Sequence, residues 1–74
     1  MDTLTKEEFS KRLARMMDAC GLTPIQLAAE LERRGADTAV PTVKAWLAGV
    51  SLPRGPRWRP LADALGVKLI ELMG

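Results

Sequence analysis

The chain has 74 residues, 47% of them apolar, and carries 11 Lys or Arg against 9 Asp or Glu, a net charge of +2. A chain this short makes one domain, 1–74, and buries only about 60% of the surface it exposes when unfolded, which leaves little structure to wall off a deep catalytic pocket. With no histidine and a single cysteine, Cys20, an internal disulfide is excluded and a zinc site lacks soft ligands, so no metal or cofactor is expected.

The pattern predicts five helices and no strands, an all-α bundle. The first helix opens at Thr5-Lys6-Glu7-Glu8, a capping box in which Thr5 and Glu8 satisfy each other's backbone amides, with Leu4 stapled onto Phe9. Phe9, Leu13, Met16 or Met17, and Cys20 recur at helical spacing, and Gly21 ends the helix. Cys20 reads as a small buried apolar residue. The second helix repeats the device: Leu22 as staple, Thr23 as cap, Pro24 at the first helical position and Gln26 closing the box. It runs to Arg34 and stops at Gly35, with Leu27 and Leu31 inward. Gly35 to Val40 reads as a loop.

Pro41 opens the third helix, which runs to Ala48 with Val43, Trp46 and Leu47 inward and Gly49 as its stop. Ser51 to Pro56 is a second, proline-rich loop. Proline tolerates a first turn but not a helix interior. The pattern therefore predicts a loose turn at Pro56 to Arg59 and a fourth helix from Pro60 to Leu65, ended by Gly66. A last helix spans Val67 to Met73, with Leu69 and Leu72 inward. The expected core is Phe9, Leu13, Leu27, Leu31, Val43, Trp46, Leu61, Leu65, Val67 and Leu72.

Positive charge is unevenly placed. Arg33 and Arg34 sit at the end of the second helix, and Arg54, Arg57 and Arg59 form a late cluster without an acid. With a sequence pI of about 9.1, this suits a polyanion partner. No apolar run approaches the roughly 20 residues of a bilayer span. The amino-terminal stretch is soon charged, unlike a secretory signal. The expectation is a soluble cytoplasmic protein. No phosphate-cradling glycine loop and no nucleophile–base pair point to catalysis, so the chain is not read as an enzyme.

Two short helices, the second ended by Gly49, in a small basic chain suggest a helix-turn-helix reader of double-stranded DNA over about 23–49. The chain resembles the lambda-repressor-like family, the Cro/C1-type domains of phage repressors and bacterial regulators. Gly21-Leu22-Thr23 resembles the family's Gly-Leu-Ser/Thr opening, and Leu27-Ala28 its Leu-Ala pair. Val43, Trp46 and Gly49 match its recognition-helix pattern. Leu61-Ala62-Asp63-Ala64-Leu65-Gly66-Val67 resembles its fourth helix, and Pro56-Arg57-Trp58 followed by Pro60 resembles a Pro-Arg-Phe-x-Pro stretch of some lambdoid repressors. The likeness covers roughly residues 8 to 74. Two departures stand out. The segment from Arg34 to Pro41 is longer than the usual turn of about 3–4 residues, and a family arginine–glutamate pair falls on Met17 and Leu47, both apolar.

The resemblance implies a five-helix lambda-repressor-like bundle that represses transcription from operator DNA as a homodimer. It places the base-reading positions on Val40, Pro41, Thr42, Lys44 and Ala45. Lys44 suits guanine O6/N7, while Val40, Ala45 and the Thr42 methyl suit a thymine methyl. The family's second-helix glutamine falls on Pro24. Thr23, Gln26, Arg33, Arg34, Arg54, Arg57 and Arg59 are candidates for phosphate, with Arg57 also a candidate for a narrow minor groove. Trp58 reads either as a cap on the bundle or as a sugar–phosphate contact, with packing favoured. Glu30 and Glu32 read as surface charges. Ile70 and Met73 exceed what one inward face of the last helix needs and are dimer candidates. An antitoxin-like or adaptor module, binding protein with the same fold, is the alternative, because only Thr42 and Lys44 of the reading positions can hydrogen-bond a base.

Overall fold

The computed structural model describes residues 4–73. Among them are five helices and no strand: α1 Lys6–Cys20, α2 Pro24–Arg33, α3 Val40–Leu47, α4 Gly55–Leu65 and α5 Leu69–Met73. None is long and apolar enough to cross a membrane. The radius of gyration is 11.0 Å, matching the value of about 11 Å for a compact chain of this length. α3 packs on α1 and α2, α4 on α2 and α1, and α5 on α1 and α4.

Local chemistry sets the first two helices. Both capping boxes are present, Thr5 with Glu8 and Thr23 with Gln26. Leu4 and Leu22, just before the caps, are half-buried against the core, as hydrophobic staples require. Four helices end the same way. A glycine at positive φ (Gly21, Gly35, Gly49, Gly66) is followed by an apolar residue whose amide bonds back to a carbonyl five residues earlier, the Schellman arrangement.

Nine of the ten expected core residues are buried: Phe9, Leu13, Leu27, Leu31, Val43, Trp46, Leu61, Leu65 and Leu72. Phe9 is the joint. Trp46 meets it edge-on from α3 at 6.4 Å, and Trp58 from α4 at 5.2 Å. Trp58 therefore packs on the bundle, although it stays half-buried.

Several expectations are corrected. α4 begins at Gly55 and carries Pro60 inside it, where a loose turn was expected over Pro56 to Arg59. Pro60 forfeits only one rung, to the Pro56 carbonyl in the exposed first turn. Packing holds the register on either side, through Trp58 on Phe9 and through buried Leu61, Ala62 and Leu65. α3 starts one residue early, at Val40, because proline fits the second position of a first turn as well as the first. It ends at Leu47, and α2 ends at Arg33, with Ala48 and Arg34 as their caps.

Val67 is only half-buried and lies outside α5. Its amide donates to Ala62 at 3.0 Å, so it belongs to the cap of α4. Leu69 and Leu47 are likewise half-buried, while Met17 rather than Met16 is buried. Cys20 is exposed, not buried. It is the last residue of α1, at the rim, where its thiol donates to the Leu65 carbonyl at 3.1 Å.

Candidate nucleic-acid interface

α3 buries Val43 and Trp46 and turns Pro41 and Lys44 to solvent, with Val40, Thr42 and Ala45 half-buried between. Lys44 is thus the one exposed hydrogen-bonding side chain among the five expected reading positions. At 8 residues α3 has about two turns, and its diameter of about 10–12 Å with side chains is what a major groove about 12 Å wide admits.

The cations divide into those brought together and those set apart. At the end of α2, Arg33 and Arg34 both pair with Glu30, at 3.2 and 3.4 Å. Glu30 is a surface charge of α2, as expected, and it draws the two arginine heads to one side of the helix. Exposed pairs of this kind contribute little, so a phosphate can replace the carboxylate cheaply.

From α4, Arg57 Nη2 donates to the Asp37 carbonyl at 3.0 Å. That bond joins the start of α4 to the connection 34–39. Asp37 lies three residues beyond Arg34 and three before Val40. The connection between α2 and α3 is therefore held against the N-terminal part of α4. Arg54, exposed at the N-cap of α4, lines with Pro56 and Arg57 an open depression of about 430 Å³. Arg57 thus ties α4 to the connection that follows Arg33 and Arg34, and Arg54 lies beside Arg57 on the same depression.

Arg59 is not part of this group. It is two residues from Arg57 on α4 and so stands on the other side of the helix. Thr23 and Gln26 are exposed at the far end of α2 and are engaged with each other. Thr23 Oγ1 accepts the Gln26 amide at 3.2 Å, and Gln26 Oε1 accepts the Thr23 amide at 2.9 Å. The Thr23 hydroxyl proton and the Gln26 NH₂ remain as donors. The dimer candidates are exposed on α5, Ile70 to 72% and Met73 to 43%.

Sequence reasoning missed the anchoring of the connection. Ala36 and Thr38 are buried, and the Thr38 hydroxyl donates to the Ala36 carbonyl at 2.7 Å. A small polar residue bonding its own backbone two residues away is ordinary turn chemistry, and Thr38 carried that signal. The Arg57–Asp37 bond spans 20 residues of sequence and carried none. Compared with known proteins, the chain matches no family model, no curated protein and no solved structure.

Proposed function

We propose that this chain is a sequence-specific DNA-binding regulator of transcription, a repressor of the lambda-repressor-like kind. In this reading α3 lies in the major groove. Lys44 is its main hydrogen-bonding contact to a base edge, and Pro41, Ala45 and the Thr42 methyl supply apolar contact. Arg33, Arg34 and Arg54 bind the flanking phosphates. The observation that supports the reading is Lys44 exposed on α3, together with the Arg57–Asp37 bond that ties α4, with Arg54 at its N-cap, to the connection between Arg34 and α3.

The finer part of the proposal is assembly. One small domain makes few phosphate contacts, so two copies on half-sites about one helical turn apart are needed for tight binding. Ile70 and Met73 on α5 form the contact between them. Selection from a random duplex library tests the reading. A consensus should emerge, and Lys44→Ala should alter preference at one position by about 1–3 kcal/mol. Recovery of no consensus, with equal binding to every duplex, would overturn it.

A second reading, an adaptor or antitoxin-like module whose partner is protein, is favoured by Ile25 and Val50, exposed to 68% and 64%. Neither has a role in the DNA reading.

A further inference from the structure

The connection 34–39 passes from α2 to α3 without regular structure, and three anchors hold it. Ala36 is buried, and its amide donates to the Leu31 carbonyl at 2.8 Å. Thr38 is buried, with its hydroxyl turned back to Ala36. Between them Asp37 is exposed, and its carbonyl is held by Arg57. The first two anchors are local. Arg57 is the one that ties the connection, by a hydrogen bond, to a separate helix.

The start of α3 lacks a side-chain cap. α1 and α2 each begin with a capping box, whereas the N-cap of α3 is Ala39, which offers no side-chain acceptor. A polar N-cap contributes about 1 kcal/mol over alanine, and α3 lacks it. As in α1 and α2, the N-cap carbonyl closes the first turn, here accepting the amides of Thr42 and Val43 at 3.0 and 3.3 Å. The backbone that Arg57 grips is therefore two residues from the residue that orients the first turn of α3.

We infer that Arg57 is a positioning residue: it clamps the long α2–α3 connection onto α4 and so sets the pose of α3, and it does not itself touch the nucleic acid. The consequence for recognition rests on the DNA-binding reading, but the clamp is a property of the free protein. To reach a minor groove the guanidinium would have to leave Asp37 and release the connection that carries α3. The half-buried arginine is placed to hold the reader while Arg33, Arg34 and Arg54 meet the phosphates.

Two measurements on Arg57→Ala and Arg57→Lys test this. The first is amide hydrogen exchange in the free protein. Arg57→Ala should speed exchange at Ala36, Thr42 and Val43 about tenfold more than at the core amide of Leu13, a local opening rather than a global one. Arg57→Lys keeps one donor for the carbonyl and should restore most of the protection.

The second measurement uses a duplex selected from the random library and a scrambled one. Arg57→Ala should lower the preference for the selected duplex about tenfold while the salt slope stays as in wild type, because no phosphate contact is lost. Arg57→Lys should recover the preference. Unchanged exchange at those three amides overturns the clamp, and a slope smaller by about one overturns the statement that Arg57 does not touch the nucleic acid. Should the wild type prefer no duplex, the DNA reading has failed, and the exchange result alone decides whether Arg57 is a clamp.

Discussion

Phe9→Leu probes the joint at which three helices meet. The Phe9 ring is fully buried and receives Trp46 edge-on at 6.4 Å and Trp58 at 5.2 Å, with interplanar angles of 81° and 75°. Leucine keeps the site apolar and removes both ring–ring contacts. Each such pair contributes about 0.5–1.5 kcal/mol beyond burial, so the expected loss is about 1–3 kcal/mol. Any unfilled volume adds to it. Stability of roughly 0.05–0.15 kcal/mol per residue gives this chain about 4–11 kcal/mol in total. The variant should remain folded, with its thermal midpoint lowered by about 4–8 °C for each kcal/mol lost. Urea unfolding followed by circular dichroism measures the loss. Trp58→Leu and the double variant complete a cycle, in which positions 9 and 58 should couple by about 0.5–1.5 kcal/mol. A loss below about 0.5 kcal/mol, or no coupling, would mean that Trp58 does not sit on Phe9. The account of α4 as a helix from Gly55 onward would then fall.

Pro60→Ala should raise stability by about 1 kcal/mol or more, since it restores a rung inside α4 and removes a poor helix former; a lower urea midpoint would show that the helix does not pass through residue 60. Arg12 Nη1 is buried without a hydrogen-bond partner among the described residues. Arg12→Met keeps the aliphatic stem, removes that nitrogen, and should stabilise by about 1 kcal/mol, whereas destabilisation would mean the guanidinium is satisfied in solution. Ile70→Glu should leave the thermal midpoint within about 2 °C of wild type, because the side chain is exposed. It should abolish cooperative loading of two copies on the selected duplex. Equal sedimentation of wild type and variant with that duplex would remove Ile70 from the contact.

What was legible in the sequence was whatever local chemistry dictates. Thr5 with Glu8 and Thr23 with Gln26 are signals spanning four residues, and both boxes are present. Leu27, Leu31, Leu61 and Leu65 follow helical spacing and are buried. The failures fall where a tertiary contact outweighs a local rule. Pro60 argued against a helix interior, yet Trp58 on Phe9 holds the turn before it. Cys20 kept the helical spacing of the core, but α1 reaches the rim of the bundle at that residue. The site divides in the same way. The family resemblance pointed to Lys44, which is exposed on α3, and position at a helix end pointed to Arg33 with Arg34. The convergence of α4 on Asp37 could not be read, since 20 residues separate Arg57 from the carbonyl it holds.

The salt dependence of duplex binding shows whether Arg33, Arg34 and Arg54 bind DNA phosphates. If Arg33, Arg34 and Arg54 each neutralise a phosphate, the logarithm of the binding constant should fall against log salt with a slope of roughly −3 per chain. Arg54→Ala and Arg34→Ala should each make that slope shallower by about one, and should weaken selected and scrambled duplexes alike. A slope near zero, or one that neither substitution changes, would contradict the account.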